Sequence, residues 1–158
     1  MVKNDGTKYE REICEILNSS HKTDSWPTNF RNVKGDKGVD IISYYKDKPL
    51  IIQCKDLAKK VGINHVRELN GIMPYNSNLF RIMVSKRGYT KYALDFKKMN
   101  KNLILTDGKN IIQDIKKHYD NYKNKIEKKD ARVHKKIKRL TETNKKLRQL
   151  ISQLQNDQ

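Results

Sequence analysis

The stretch that decides the fold runs from Gly38 to Lys55 and reads GVDIISYYKDKPLIIQCK. It contains two runs rich in β-forming residues, Val39–Tyr44 and Leu50–Cys54. The polar segment Tyr45–Pro49 separates them, and a turn over 34–38 with two glycines precedes them. Two such runs joined by a short polar segment predict a β-hairpin.

Three polar side chains in this hairpin predict a site. Side chains alternate between the two faces of a strand, so Gln53 and Lys55 project to the same side. An aspartate inside a β-rich apolar run, such as Asp40, is unfavourable unless it has a function. Antiparallel pairing can bring Asp40 beside Gln53 and Lys55. Mg²⁺ prefers oxygen ligands of this kind and keeps several waters, and Lys55 would orient a nucleophile or stabilise negative charge.

These motifs resemble a known family. The string Gly35–Ile42, followed by Ile51–Lys55, resembles the Mrr-like branch of the PD-(D/E)xK nuclease superfamily, which shows a GxD motif and then QxK. The resemblance includes Tyr9-Glu10 upstream and Val66–Gly71 and 84–90 downstream. It covers about residues 7–112, nearly all of the part that precedes the C-terminal tail.

The resemblance implies a restriction-endonuclease-like α/β sandwich with a central mixed sheet and flanking helices. It also implies Mg²⁺-dependent cleavage of DNA phosphodiesters, with Mn²⁺ as a substitute. By position, Asp40 becomes the principal metal ligand, Gln53 the second, Lys55 the catalytic lysine and Glu10 an outer-shell or metal-facing carboxylate. Glu10 has a competing interpretation, because Thr7-x-x-Glu10 is also the signature of a helix capping box.

The other elements follow from hydrophobic periodicity. The order α, β, β, β, α, β, α, β, α is typical of an α/β sandwich with a mixed sheet. Four aromatic residues of this region could stack on bases or simply pack: Trp26, Phe30, Tyr44 and Tyr45. Outside the hairpin, the sequence predicts helices over 7–18, 62–73 and 90–99, a loop over 21–27, strands over 30–33, 79–84 and 102–105, and a turn over 106–108 that opens a last helix.

The sequence after about residue 120 changes character, so we expect a nuclease-like domain over 1–120 and a basic helix over 121–158. Apolar residues recur every seven positions at Ile126, Val133, Leu140, Leu147 and Leu154. Ile137, Asn144 and Ile151 fill the alternate core positions, which predicts a coiled coil of two parallel strands. Alternatives are one long amphipathic helix folded back on the domain, a partly disordered basic tail, or a higher-order bundle.

Charge predicts the partner. The 158 residues carry a formal charge of +17, and a protein this basic is attracted to a polyanion, most commonly nucleic acid. The tail from residue 121 has 12 Lys and Arg against 4 Asp and Glu, so the preceding residues are also basic. We therefore expect DNA as partner, and a homodimer or higher homo-oligomer through residues 126–154.

The N-terminus shows no apolar signal region, and no apolar run approaches membrane-spanning length. We therefore expect an intracellular protein in a reduced compartment, cytoplasmic or in the nucleoid or nucleus, that is neither secreted nor in a membrane. The function predicted is a metal-dependent DNA endonuclease that recognises DNA structure or modification.

Two other functions stay open. Gln53, a neutral amide, favours a catalytically weak or inactive DNA-binding or assembly protein that retains the nuclease fold. The basic stretch from Lys123 to Arg139, together with the heptads after it, favours a basic-zipper DNA reader.

Overall fold

The structure is a computed structural model that describes residues 5–20, 23–28, 38–72 and 78–156. Helices and strands alternate along most of the chain. The elements are α1 (Asp5–Ser19), β1 (Thr23–Pro27), β2 (Ile41–Tyr45), β3 (Lys48–Lys55), α2 (Ile63–Gly71), β4 (Phe80–Ser85), α3 (Lys91–Met99), β5 (Leu103–Thr106) and α4 (Ile111–Asn156).

One mixed sheet organises the strands in the order β1-β2-β3-β4-β5. The first three strands are antiparallel, with Ile41 opposite Ile52, and the last three are parallel, with Gln53 opposite Met83. α1 packs on β1 and β3, whereas α2 contacts β4 and α3 contacts β5. The predicted α/β architecture, with a central mixed sheet and flanking helices, is confirmed.

The two faces of the sheet can be told apart by strand alternation. Ser25 and Ser43 bond through their hydroxyls at 2.8 Å, and the Ser25 carbonyl accepts from Asn18 of α1, so these residues face α1. Met83 lies on the opposite face, in a core of buried residues from α2 and α3. Gln53 lies opposite Met83 and so belongs to the α2/α3 face.

The first strand is not where the sequence indicated. The predicted loop over 21–27 is wrong for its described part, because β1 occupies Thr23–Pro27. The predicted strand Phe30–Val33 lies outside the described residues. The inward positions of β1 carry Thr23 and Ser25 instead of apolar residues, and their hydroxyls are bonded to the Leu17 carbonyl and to Ser43. No apolar alternation therefore marked this strand.

The hairpin turn is shorter than the polar segment Tyr45–Pro49 suggested. Only Lys46 and Asp47 form the turn, and β3 already begins at Lys48. Lys48 is almost fully buried; its ammonium donates to the Asn78 side-chain oxygen and lies 5.0 Å from the centre of the Phe80 ring. A lysine can occupy this interior position because its charge has polar and aromatic partners.

The chain divides into two compact units, residues 1–117 and 118–158. The second unit consists of the long continuation of α4, in which the large apolar side chains remain about half exposed. These are Ile126, Val133, Ile137, Leu140, Leu147, Leu150 and Ile151, and the side chain of Leu154 lies outside the described residues. Among the helices described, none is both long enough and apolar enough to cross a bilayer.

Candidate active site at one edge of the sheet

Four strand ends meet at one edge of the sheet. β3, β4 and β5 are parallel, so Lys55, Ser85 and Thr106 end their strands on the same side. β2 runs antiparallel to β3, which places its start beside the end of β3. Asp40, directly before β2, therefore lies at the edge where the parallel strands finish.

Asp40 is fixed there by both its backbone and its side chain. Its N–H donates to the Ile52 carbonyl and its carbonyl accepts from the Thr28 N–H, each at 2.9 Å. Its carboxylate Oδ2 accepts from the backbone N–H of Cys54 at 2.7 Å. Continuing the β2–β3 register by one pair puts Asp40 opposite Gln53. The carboxylate is thus held against the backbone between Gln53 and Lys55.

Gln53 presents an unsatisfied oxygen. The residue is only 5% exposed, and its Oε1 is buried with no hydrogen-bond partner. Leaving such a group unpaired costs about 1–3 kcal/mol. Gly38 makes room for the amide, because a Cβ at that position would lie 2.8 Å from Gln53 Nε2, and its φ of +78° is one that favours glycine.

The pKa of the Cys54 thiol is shifted by burial and by the charges around it. Burial raises the pKa of Cys54 far above its ordinary value, the carboxylates of Asp40 and Glu10 raise it further, and Lys55 lowers it. The structure therefore gathers Asp40, Gln53 and Lys55 at one edge of the sheet. Glu10 of α1 is one of the carboxylates that raise the pKa of the thiol beside them.

The capping-box interpretation of Glu10 does not fit the helix. α1 begins at Asp5, two residues before Thr7, so Thr7 is inside the helix rather than at its N-cap position. Glu10 lies on the second turn of α1, and its carboxylate raises the pKa of the Cys54 thiol.

Sequence reasoning missed a second group of side chains at the same edge. Lys86, just after β4, bonds to Asp56 at 2.6 Å and lies 4.4 Å from the centre of the Tyr9 ring. Burial raises the pKa of Tyr9, and the charges of Cys54, Asp56 and Asp107 raise it further. Each of Asp56, Lys86 and Asp107 is the first residue after a parallel strand, which is the sequence signal that could have identified them.

The donor set suits a hard divalent cation. Among the described residues, no three His, Cys, Asp or Glu side chains form a metal-binding group. What the edge offers instead is the Asp40 carboxylate, with the orphaned amide oxygen of Gln53 opposite it. Mg²⁺ is bound through few protein oxygens and completes its shell with water and substrate phosphate, so these residues fit it.

Comparison with known proteins identifies the family to which the chain belongs. The family model Mrr_cat, described as a restriction endonuclease, matches residues 2–115. Among solved structures, a protein of unknown function designated AF1548 is similar with a TM-score of 0.53 and 10% identity over 66% of this chain. The MspJI restriction endonuclease in complex with a 27-mer oligonucleotide is similar with a TM-score of 0.48 and 17% identity over 66% of this chain.

The chain spans 58% of the length of the first of these structures and 26% of the second. Among curated protein sequences, none matches significantly. The AF1548 structure supports the architecture of the sheet and its helices, while the family model covers the whole of the sheet edge with its GxD and QxK residues. The chain belongs to the Mrr_cat family of restriction endonucleases.

Proposed function

We propose that this protein is a Mg²⁺-dependent DNA endonuclease whose site residues are Asp40, Gln53, Lys55 and Glu10. One observation carries the proposal: the buried Oε1 of Gln53 has no partner and lies opposite Asp40 at the sheet edge. A folded protein gains nothing from an unpaired buried amide oxygen unless a ligand completes it.

Asp40 and Gln53 would hold the cation, with Glu10 as an additional carboxylate. When bound, Mg²⁺ supplies Lewis-acid stabilisation of phosphate charge and lowers the pKa of a bound water. The bond from the Cys54 amide fixes the Asp40 carboxylate, and Gly38 leaves the room that the Gln53 amide needs. The ligands are therefore held in place before any substrate arrives, which is what an efficient site requires.

Lys55 would act on the phosphate. Among the described residues, no carboxylate lies within salt-bridge distance of its ammonium. The neighbouring Asp56 is instead paired with Lys86 at 2.6 Å. A cation held at this edge stabilises the negative charge that builds on a phosphate under attack.

DNA is the substrate that the charge of the chain favours. With a formal charge of +17, the protein attracts a polyanion at long range, and such contacts give affinity without sequence discrimination. We include in the proposal recognition of DNA by structure or modification.

Self-association through residues 126–154 is part of the same proposal, with a nuclease unit over 1–120 and a tail over 121–158. The apolar positions of the tail are spaced by seven and are 40–55% exposed, as the seam of an unpaired coiled-coil helix would be. Pairing two chains would supply two active sites, one for each strand of a duplex.

The test is a cleavage panel of plasmid, linear, methylated, branched and single-stranded DNA with Mg²⁺, Mn²⁺ or chelator. We expect metal-dependent cleavage that falls about a hundred-fold or more in Asp40→Ala and in Lys55→Ala, because each removes charge stabilisation from the transition state. Asp95→Ala and Lys101→Ala, which remove exposed charges elsewhere, serve as controls. Full activity in Asp40→Ala or Lys55→Ala would refute the assignment.

The second candidate function is DNA binding or assembly without turnover. The neutral amide of Gln53 favours it, since an amide binds a hard cation less strongly than a carboxylate does. It predicts salt-sensitive DNA binding that chelator does not change, and no product with either metal. The Gln53→Glu variant in the same panel separates the two functions: cleavage gained by this variant alone identifies an intact geometry that lacks only ligand charge.

A further inference from the structure

One half of the α2/α3 face of the sheet carries large apolar side chains that are about half exposed. Trp26 is 54% exposed, and Ile42 and Tyr44 are each 45% exposed. Trp26 pairs directly with Ile42, and the Trp26 and Tyr44 rings meet edge to face with centroids 6.3 Å apart. We call these three residues the aromatic face.

The helices of this side cover the other strands. α2 contacts β4 and α3 contacts β5, and their buried residues pack on Met83 and Leu103, with Ile51 of β3 at the margin. Within the part of the chain that the structure describes, no helix makes comparable contacts with β1 or β2 on this side. The inward residues of the same strands, such as Ser25 and Ser43, are buried towards α1. The aromatic face is therefore a surface and not an incomplete core.

This surface continues directly from the candidate site. Asp40 is two residues from Ile42 and four from Tyr44, so strand alternation places all three on the same face. At about 3.3 Å per residue, Ile42 lies about 7 Å from Asp40 and Tyr44 about 13 Å. One DNA strand advances about 3.4 Å per nucleotide. The aromatic face thus begins two to four nucleotides from a phosphate at Asp40.

The chemistry of the face selects unpaired bases. An exposed indole and phenol ring can stack on the π-face of any base, and this contributes a large share of single-strand affinity. Bases inside an intact duplex are stacked on each other and offer no free face. Asp24, which is exposed and pairs with Tyr44 in the register, disfavours a phosphate at the far end of the face.

A second copy of the chain fits the face less well than DNA does. Each copy carries +17, so the long-range field of the protein favours a polyanion over a second copy as the occupant of this face. The apolar seam that two copies would share is already present in the tail, at positions such as Leu140 and Leu147.

We propose that the aromatic face binds unpaired bases of the DNA strand whose phosphodiester lies at Asp40. This rests on the proposed nuclease function and sharpens it: the substrate is DNA with single-stranded nucleotides next to the cleavage position, such as a fork, flap or gap.

Trp26 is the sole tryptophan of the chain, so its fluorescence reports this face alone. The full chain is titrated in chelator, where no cleavage occurs, with a thymidine oligonucleotide, an abasic oligonucleotide of the same length and an intact duplex. Stacking predicts strong quenching by the thymidine oligonucleotide and little by the other two. Equal quenching by the abasic oligonucleotide would overturn the proposal, because phosphates alone would then explain it.

Variants provide the second readout. Tyr44→Ala should weaken binding of the thymidine oligonucleotide about ten-fold and leave abasic binding unchanged, whereas Tyr44→Phe should keep both. Tyr92→Ala, which removes a tyrosine 74% exposed on α3, is the matched control. An equal loss for both oligonucleotides in Tyr44→Ala refutes the proposal, as does Trp26 emission that changes on dilution without DNA, since a second copy would then cover the face.

The proposal and the nuclease function can fail separately. Quenching without cleavage in any metal leaves the aromatic face and removes turnover. Cleavage that depends on Asp40 but prefers intact duplex, with no quenching, leaves turnover and removes the aromatic face as a base-binding surface.

Discussion

The sheet domain and the tail differ in how far they bury their apolar side chains. In the domain, apolar side chains such as Leu17 and Ile82 are fully buried, and several buried polar atoms of the described residues, Gln53 Oε1 among them, lack a hydrogen-bond partner. In the tail, polar groups face water, and apolar side chains such as Ile137 and Leu140 are more than half exposed. The first region is folded by its own apolar core, whereas the second leaves its apolar side chains exposed to water.

The largest expected effect separates the two regions by stability. Leu17→Ala should lower the free energy of unfolding by about 2–5 kcal/mol, because it empties a filled core position. Leu140→Ala should change it by less than about 0.5 kcal/mol in dilute protein, because that side chain is already half in water. Urea denaturation followed by circular dichroism measures both.

Protein concentration then provides the control for this pair. If the tail self-associates, Leu140→Ala becomes destabilising at high concentration and lowers the oligomer mass in sedimentation, whereas the cost of Leu17→Ala stays constant. A large cost of Leu140→Ala at high dilution would contradict the comparison, because the leucine would then be packed within a single chain.

The sequence predicted where the candidate site residues lie better than it predicted the strand β1. Asp40, Gln53 and Lys55 stand out because polar residues interrupt apolar β runs at a spacing that alternation places on one face. β1 gave no such signal, since Thr23 and Ser25 bury hydroxyls that are satisfied by partners outside the strand, the Leu17 carbonyl and Ser20 for Thr23 and Ser43 for Ser25. Such pairing depends on the tertiary structure and cannot be found by periodicity.

The same limit applies to the contacts of the strand ends. The pairing of Lys86 with Asp56 joins residues 30 positions apart, and it exists because β3 and β4 are parallel neighbours. The orphaned oxygen of Gln53 was also invisible in the sequence, which showed only the amide of the QxK motif. The burial of Gln53 Oε1 leaves this amide oxygen without a hydrogen-bond partner, and a bound cation would supply one.

A second prediction, with an effect of intermediate size, tests whether Gln53 Oε1 binds a cation. Gln53→Met keeps the size of the side chain and removes the unpaired oxygen, so the metal-free protein should become more stable by about 1 kcal/mol. On the proposed function, Mg²⁺ should raise the melting temperature of the wild type, and the variant should lose this rise. Thermal melts with and without Mg²⁺ measure both changes. A less stable variant with an unchanged metal response would show that Gln53 Oε1 is already satisfied.

The smallest effect concerns the start of α4, from which the tail extends. Backbone N–H groups of Asn110 and Lys109 and the Asn110 side chain bond to Asp107 and hold the pKa of this exposed carboxyl below its ordinary value. Its stabilisation is therefore present above the unfolded pKa of about 3.8 and is lost as pH falls through the lower folded value.

Asp107→Ala should cost about 0.5 kcal/mol at pH 7 and less at a pH below the folded pKa of the carboxyl, where the wild type has lost the charge that strengthens these bonds. Asp95→Ala, on the surface of α3, is the matched control in the same urea denaturation series. An equal cost at both pH values would mean that the ionised carboxylate of Asp107 contributes nothing.

The hydrogen bond from the Cys54 amide to Asp40 ties the chemistry to the completion of folding. If β2 and β3 paired one residue out of register, Gln53 and Lys55 would turn to the opposite face and Asp40 would lose its place beside them. A chain with a slipped hairpin would thus have no site at all. On the proposed nuclease function, a newly made or damaged copy would not cleave DNA until its strands were correctly aligned.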